Sequence, residues 1–322
     1  MVDDPTAGET EARGREAARP RQMPMRGWRD ALFRVKDQIG ERALSLVAAG
    51  VAFYSFLSLF PALVALLSIY GLIASPRHVA GQMNQLQGAV PASALHLVQS
   101  QIAQLTRTDH ATLGISLVVS VLIALYSASK GAGAMISALN IAYGEIEKRG
   151  FFKLQGITLL LTFSGIVFFI LMLGAIGLTA YLNQIALPGW LTIIIRVVRW
   201  LIVLAMMTAA LAVLLAWAPS RRRPKFQWVT PGAVFATVLW LLASIAFSFY
   251  IGHFGSYNKT YGSAAAIVIL MTWFWLSAFF VLVGAGINGE LERQTRRDST
   301  KGSPRPLGER DAAAADEVSP SP

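Results

Sequence analysis

The chain has no cysteine in its 322 residues. That excludes a disulfide framework, a thiol nucleophile and a thiolate metal site. Its four histidines, His78, His96, His110 and His253, are scattered without close metal-ligand spacing. Charge is scarce too. Only 14% of residues are Asp, Glu, Lys or Arg, whereas soluble domains carry about 25%. There is no P-loop, so direct ATP drive through such a motif is excluded. No metal and no cofactor is expected.

Apolar sequence fills the space. Hydrophobic residues make up 54% of the chain, and the mean hydropathy is +0.52. The stretch Trp228–Arg293 sets the format. An apolar run to Ile251 is followed by a turn rich in Gly, Asn, Ser and Tyr, and a second run extends from Ser263 to Ile287. Each run is about 20–25 residues free of charge, the length that crosses roughly 30 Å of hydrocarbon. Gly and Asn favour the reversal, and tyrosines suit the membrane interface.

The same pattern recurs and predicts an all-α polytopic membrane protein with six transmembrane helices. The expected spans are about 43–74, 112–142, 152–182, 191–217, 231–252 and 263–287. Between the first two, residues 75–110 are expected to hold two short amphipathic helices outside the membrane. The first apolar run starts too late and is too long for a secretory signal peptide. Residues 1–27 and 294–322 are polar and rich in Ala, Arg, Glu and Pro, and are expected to be disordered tails. Residues 28–42 predict an amphipathic surface helix with Leu32, Val35 and Ile39 on one side. Pro61 predicts a kink in the first span by freeing the Leu57 carbonyl. Thr230 and Pro231 predict the start of the fifth span.

Lys and Arg are unevenly placed. Nine precede Ala43, three lie in 143–153, four in 219–230 and six from Arg293 onward, whereas the opposite side receives Arg77, Arg107, Arg196, Arg199 and Lys259. Positive residues favour the cytoplasmic side, so both termini are expected there. Anionic lipid headgroups are the expected electrostatic partner.

Two sets of polar residues are candidate sites. At the inner end stand Lys130, Asn140, Asn288 and Glu290. Lys130 lies about 27 Å along its helix from Thr112, which predicts a place near the cytoplasmic interface and a pairing with Glu290. Snorkelling of both to the headgroups is the plainer reading. At the outer end stand Arg196, Arg199, Tyr257, Asn258 and Lys259. They are either interfacial anchors or a cationic site at a vestibule.

Several separated segments resemble one family, and do so in order. They are Ala48–Pro61 (AAGVAFYSFLSLFP), Tyr126–Gly131 (YSASKG), Asn140–Glu145 (NIAYGE), Trp228–Ala233 (WVTPGA), Tyr257–Gly262 (YNKTYG) and Asn288–Glu292 (NGELE). They resemble the YihY/BrkB family of bacterial integral membrane proteins, historically also labelled ribonuclease BN. The resemblance implies six helices in the bacterial cytoplasmic membrane. It also carries two unlike functional ideas, an RNA-processing enzyme and a membrane factor linked to virulence or export.

A metal-dependent nuclease needs clustered His and Asp ligands. The histidines here fall on the expected outer side, away from RNA, and the inner acids interleave with Lys and Arg. The expectation is therefore no enzyme and no nucleic-acid partner. Transport or export of an unidentified small solute or lipid is the favoured reading. A structural or lipid-handling envelope factor is the alternative.

Overall fold

A computed structural model of the chain describes residues 12–73, 110–182, 189–253 and 263–319. The helices are α1 (Met25–Glu41), α2 (Leu44–Ile73), α3 (His110–Tyr143), α4 (Phe151–Leu182), α5 (Gly189–Trp217), α6 (Phe226–His253), α7 (Ser263–Gln294) and the short α8 (Ala313–Asp316). No strand occurs among the described residues, and the fold is that of an all-α membrane protein. Five helices, α3 to α7, are long and apolar enough to cross a bilayer on their described residues, and α1 with α2 forms a sixth, bent pair. The helices expected within 75–110 lie outside the described residues.

The long helices close a ring in chain order. Each of α2 to α6 packs on its successor, α7 returns to α2, and α3 also touches α7. Burial is concentrated at one end, here called the terminal face because both terminal segments lie on it. The centre of that end is α7, where every residue from Val281 to Thr295 is buried. A helix buried on all sides needs neighbours all round it. α1, α2, α3, α6 and the C-terminal segment supply them.

Two close approaches set the packing. A Cβ on Gly232 of α6 would lie 2.6 Å from Cγ of Asn288 and inside the Gly284 carbonyl of α7. Only glycine admits this crossing. On α3, the Gly131 N–H donates to Ser58 Oγ of α2 at 2.8 Å. Ser58 in turn donates to the Tyr54 carbonyl at 2.7 Å, one turn before Pro61.

Four expectations are corrected. Residues 295–319 are not a loose tail. Lys225 N–H donates to the Ser299 carbonyl at 2.8 Å, Lys301 N–H to the Arg223 carbonyl at 2.9 Å, and Arg222 N–H to the Asp311 carbonyl at 2.9 Å. Composition suggested disorder because the segment has few large apolar residues. Pairing with the 221–225 loop orders it instead. Residues 12–24 are likewise folded; Thr295 Oγ1 donates to the Ala17 carbonyl at 2.8 Å. Third, α1 buries Gly27, Asp30, Ala31, Val35 and Gln38, leaving Leu32 exposed, because its partner face on α7 is polar as well as apolar. Fourth, α6 begins at Phe226, so Pro231 sits inside it. The lost bond to the Gln227 carbonyl is tolerated beside a buried Trp228 and Val229.

Candidate functional site

The terminal end of α3 supplies the first part of the site. Gly144 has φ +74°. Its N–H donates to the Ile141 carbonyl at 3.1 Å, and Glu145 N–H to the Asn140 carbonyl at 2.8 Å. This is a Schellman cap, which needs a left-handed residue that glycine supplies. Two arginines meet the carbonyls left over. Arg42 donates to the Ala142 carbonyl at 2.6 Å and the Ile141 carbonyl at 3.0 Å. Arg293 donates to the Tyr143 carbonyl at 3.1 Å. Cations suit the negative end of a helix dipole.

Asn140 and Asn288 act as staples. Asn140 Oδ1 accepts from Ser220 N–H at 2.8 Å, and its Nδ2 donates to Glu147 at 3.0 Å. Asn288 Oδ1 accepts from Gly232 N–H at 2.7 Å, and its Nδ2 donates to the Val229 carbonyl at 3.1 Å and the Tyr143 hydroxyl at 3.4 Å. The interior N–H of a helix rarely needs such a partner; this one sits beside Pro231, which has no N–H to give the ladder.

Two buried carboxylates complete the arrangement. Glu290 accepts from Arg34 at 2.6 Å, from Gln38 at 2.6 Å and from Arg293 at 2.8 Å. Glu292 pairs with Arg221 at 2.6 Å and accepts from Ser299 Oγ at 2.6 Å, with both charged side chains fully buried. The Arg221 guanidinium lies 4.9 Å from the Tyr143 ring centroid. Burial alone would lower its pKa, but the attraction of Glu292, Tyr143 and Glu145 holds it above the ordinary value. Burial pushes the Glu145 carboxyl up against the pull of Arg221. Hydrogen bonds from Arg149 hold Glu147 down at about 2. Together these groups form a charged, closed floor joining α1, α3, α6, α7, both connecting loops and the C-terminal segment.

Three of the four residues of the expected inner cluster are thus brought together. Asn140, Asn288 and Glu290 all belong to the floor, but Lys130 does not. It lies 13 residues before Tyr143 on one continuous helix, about 20 Å along the axis. Its ammonium is 3.1 Å from the Tyr126 hydroxyl and 4.4 Å from that ring's centroid, one turn further from the floor. The pairing with Glu290 is replaced by Arg34, Gln38 and Arg293. Lys130 also shares an exposed stripe of α3 with Leu122, Ile123 and Tyr126.

Of the outer candidates, Arg199 stacks on Trp200 of its own helix at 5.2 Å. Arg196 falls on α5 with its side chain outside what is described, and Tyr257, Asn258 and Lys259 lie outside the described residues. Sequence reasoning missed Arg34, Gln38, Arg42, Arg221, Glu292 and Arg293 as members of the floor. One signal was available: Arg34 and Gln38, four apart, share the α1 face that carries Val35. Among the described residues no group of three or more His, Cys, Asp or Glu is placed to hold a metal.

The family described as virulence factor BrkB matches residues 35–307. The chain belongs to that family. YfkH of Bacillus subtilis, a protein named as ribonuclease-like, is 32% identical over 77% of this chain and 90% of its own length. A UPF0761 membrane protein of Vibrio vulnificus is 27% identical over 77% of this chain and 78% of its own. A further UPF0761 membrane protein, from Pseudoalteromonas translucida, is 39% identical over 24% of this chain and 26% of its own. No solved structure matches. The match takes in the floor residues from Gln38 to Ser299, begins one residue after Arg34 and stops short of α8.

Proposed function

We propose that this BrkB-family protein is a transporter or exporter of an unidentified small solute or lipid in the bacterial cytoplasmic membrane, with both termini cytoplasmic and the charged floor as its inner gate. The observation that carries the reading is Lys130. It is a cation about 20 Å along α3 from the floor, with a neutral tyrosine as its partner. Intramembrane charges are costly and mark ligand or ion paths by default. The Lys/Arg excess on the terminal face supports the orientation. The reading includes no catalysis and no nucleic-acid partner. Glu290 and Glu292, the most buried acids, are each engaged by arginine, which leaves them poorly suited to activating water.

The absence of cysteine makes the test clean. A Lys130→Cys variant in oriented vesicles is treated with a membrane-impermeant thiol reagent from either side. Reaction is expected from the side opposite the floor, and from the floor side once Glu290→Ala or Arg34→Ala loosens it. No reaction from either side in any variant would place residue 130 against lipid and remove the gate. The second reading, an envelope factor without a transport cycle, is favoured by the number of bonds sealing the floor. It predicts that access never changes sides.

A further inference from the structure

A cleft of about 490 Å³ lies beside the floor, lined by Arg19, Arg21, Trp28, Gln227, Thr230, Val234 and Phe235 among others. Its volume falls within the range of ligand pockets, about 300–1,000 Å³. We infer that it holds the headgroup of an anionic glycerophospholipid from the leaflet at the terminal face, with the phosphate between Arg19 and Arg21.

Three observations carry this. First, the two arginines are exposed, and no side-chain hydrogen bond or ion pair of either occurs among the described residues. This contrasts with Arg34, Arg42, Arg221 and Arg293, which the floor consumes. Second, the turn that presents them is built. Pro20 lies between them in a short 3-10 turn. Ala18 N–H donates to Gln22 Oε1 at 2.9 Å, Gln227 Nε2 donates to the Ala18 carbonyl at 3.3 Å, and Met23 N–H donates to the Pro20 carbonyl at 3.1 Å. The guanidinium groups therefore start from a fixed backbone beside the face of α6 that carries Val234 and Phe235.

Third, the cleft changes character along α6. Its far wall is Val234 and Phe235, with the Phe235 ring 6.3 Å from that of Trp28. Above it, Val238, Leu242, Ile245 and Phe249 continue as exposed residues at helical spacing. A soluble anion would use only the arginines. A phospholipid uses both parts: phosphate on the cations, glycerol beside Trp28, and acyl chains along the apolar stripe. An indole at the boundary suits that junction. The site is separate from the gate, and its failure would leave the transport reading standing.

The test uses the full chain reconstituted in phosphatidylcholine vesicles. A minor fraction of the lipid is brominated near the glycerol end of its acyl chains, as either phosphatidylglycerol or phosphatidylcholine. Brominated phosphatidylglycerol is expected to quench tryptophan fluorescence more strongly, and Trp28→Phe to remove the excess. Arg19→Gln with Arg21→Gln should raise the lipid needed by roughly tenfold or more, from about 1 kcal/mol per basic residue. Arg19→Lys with Arg21→Lys keeps the charge and should keep most of the preference. Equal quenching by the two lipids would overturn the site, as would an unchanged double Gln variant of normal melting temperature. Displacement of the brominated lipid by inorganic phosphate would reassign the cleft to a soluble anion and also overturn it.

Discussion

Replacing Arg221 by Met should unlatch the floor, and replacing Glu292 at the same time should relatch it. Both side chains are fully buried and meet at 2.6 Å. Each also leaves capacity unused: Arg221 Nε and Nη1 and Glu292 Oε1 have no hydrogen-bond partner. Desolvating two ions costs several kcal/mol each, and a pair with unfilled sites recovers that cost incompletely. Removing one partner leaves the other charged and buried, which costs about 3–5 kcal/mol. Removing both with apolar groups of similar volume is typically neutral or stabilising. Arg221→Met and Glu292→Leu should therefore each be severe and the double variant mild: the two single costs sum to about 6–10 kcal/mol, against about 1 kcal/mol or less for the pair removed together.

For a chain of this size about 2 °C of melting temperature accompanies each kcal/mol. Each single variant should then melt roughly 6–10 °C lower in detergent, and the double variant within about 2 °C of the parent. Protease cleavage beyond residue 299 gives a second readout. Ser299 Oγ donates to Glu292 at 2.6 Å, so Glu292→Leu removes one anchor of the segment and should raise its cleavage rate even if the helices hold. Single effects that simply add in the double variant would refute the reasoning, since they would mean that water already reaches the pair.

Gly232→Ala should lower stability by about 1–3 kcal/mol or prevent assembly, because its Cβ would sit 2.6 Å from Asn288 Cγ. Gly165→Ala, with nothing within 4 Å of the added atom, should leave the melting temperature unchanged or raised. Glu147 is held at about 2 by Arg149 against an ordinary 4.5, so its contribution is present above pH 4.5 and fades as pH falls towards 2. Its side chain is 27% exposed, which trims the value to about 1–2 kcal/mol. Thermal melts at pH 3 and pH 6 should differ more in the parent than in Glu147→Gln, by roughly half that value, because at pH 3 the native carboxylate is still mostly ionised.

The fold class was legible because each span needs only length and apolarity, and the bilayer imposes both. The floor was half legible. Asn140 and Asn288 stood out as polar residues at helix ends within family-like segments. Glu290 stood out too, but the partner assigned to it was wrong for a geometric reason. Lys130 was measured from the far start of its helix. α3 runs 34 residues, from His110 to Tyr143, so the helix overshoots a bilayer and a depth taken from one end does not fix the other. The folded C-terminal segment was illegible for another reason. Its order comes from backbone pairing with the 221–225 loop and from the carbonyls that Arg310 collects. Neither leaves a hydrophobic period to read.

The Lys/Arg excess behind the proposed orientation also ties the terminal face together. α3, α5 and α7 all end at the terminal face, so three sets of unsatisfied carbonyls gather there. Arg42 and Arg293 take those of α3, and Arg149 donates to the Ala218 carbonyl at the end of α5 at 2.9 Å. At the end of α7, Ser319 N–H donates to the Arg293 carbonyl at 3.1 Å. Arginine fits this work because one planar fork can serve a carbonyl and a carboxylate together, as Arg293 does with Tyr143 and Glu290. A lysine would keep the orientation signal, which depends on charge alone, but could not reproduce that fork. Among the described residues the floor uses arginine at Arg34, Arg42, Arg149, Arg221 and Arg293, while Lys148 is left to an exposed pair with Asp311. The proposed orientation therefore needs only positive charge at this face, whereas tying these helix ends together uses guanidinium geometry.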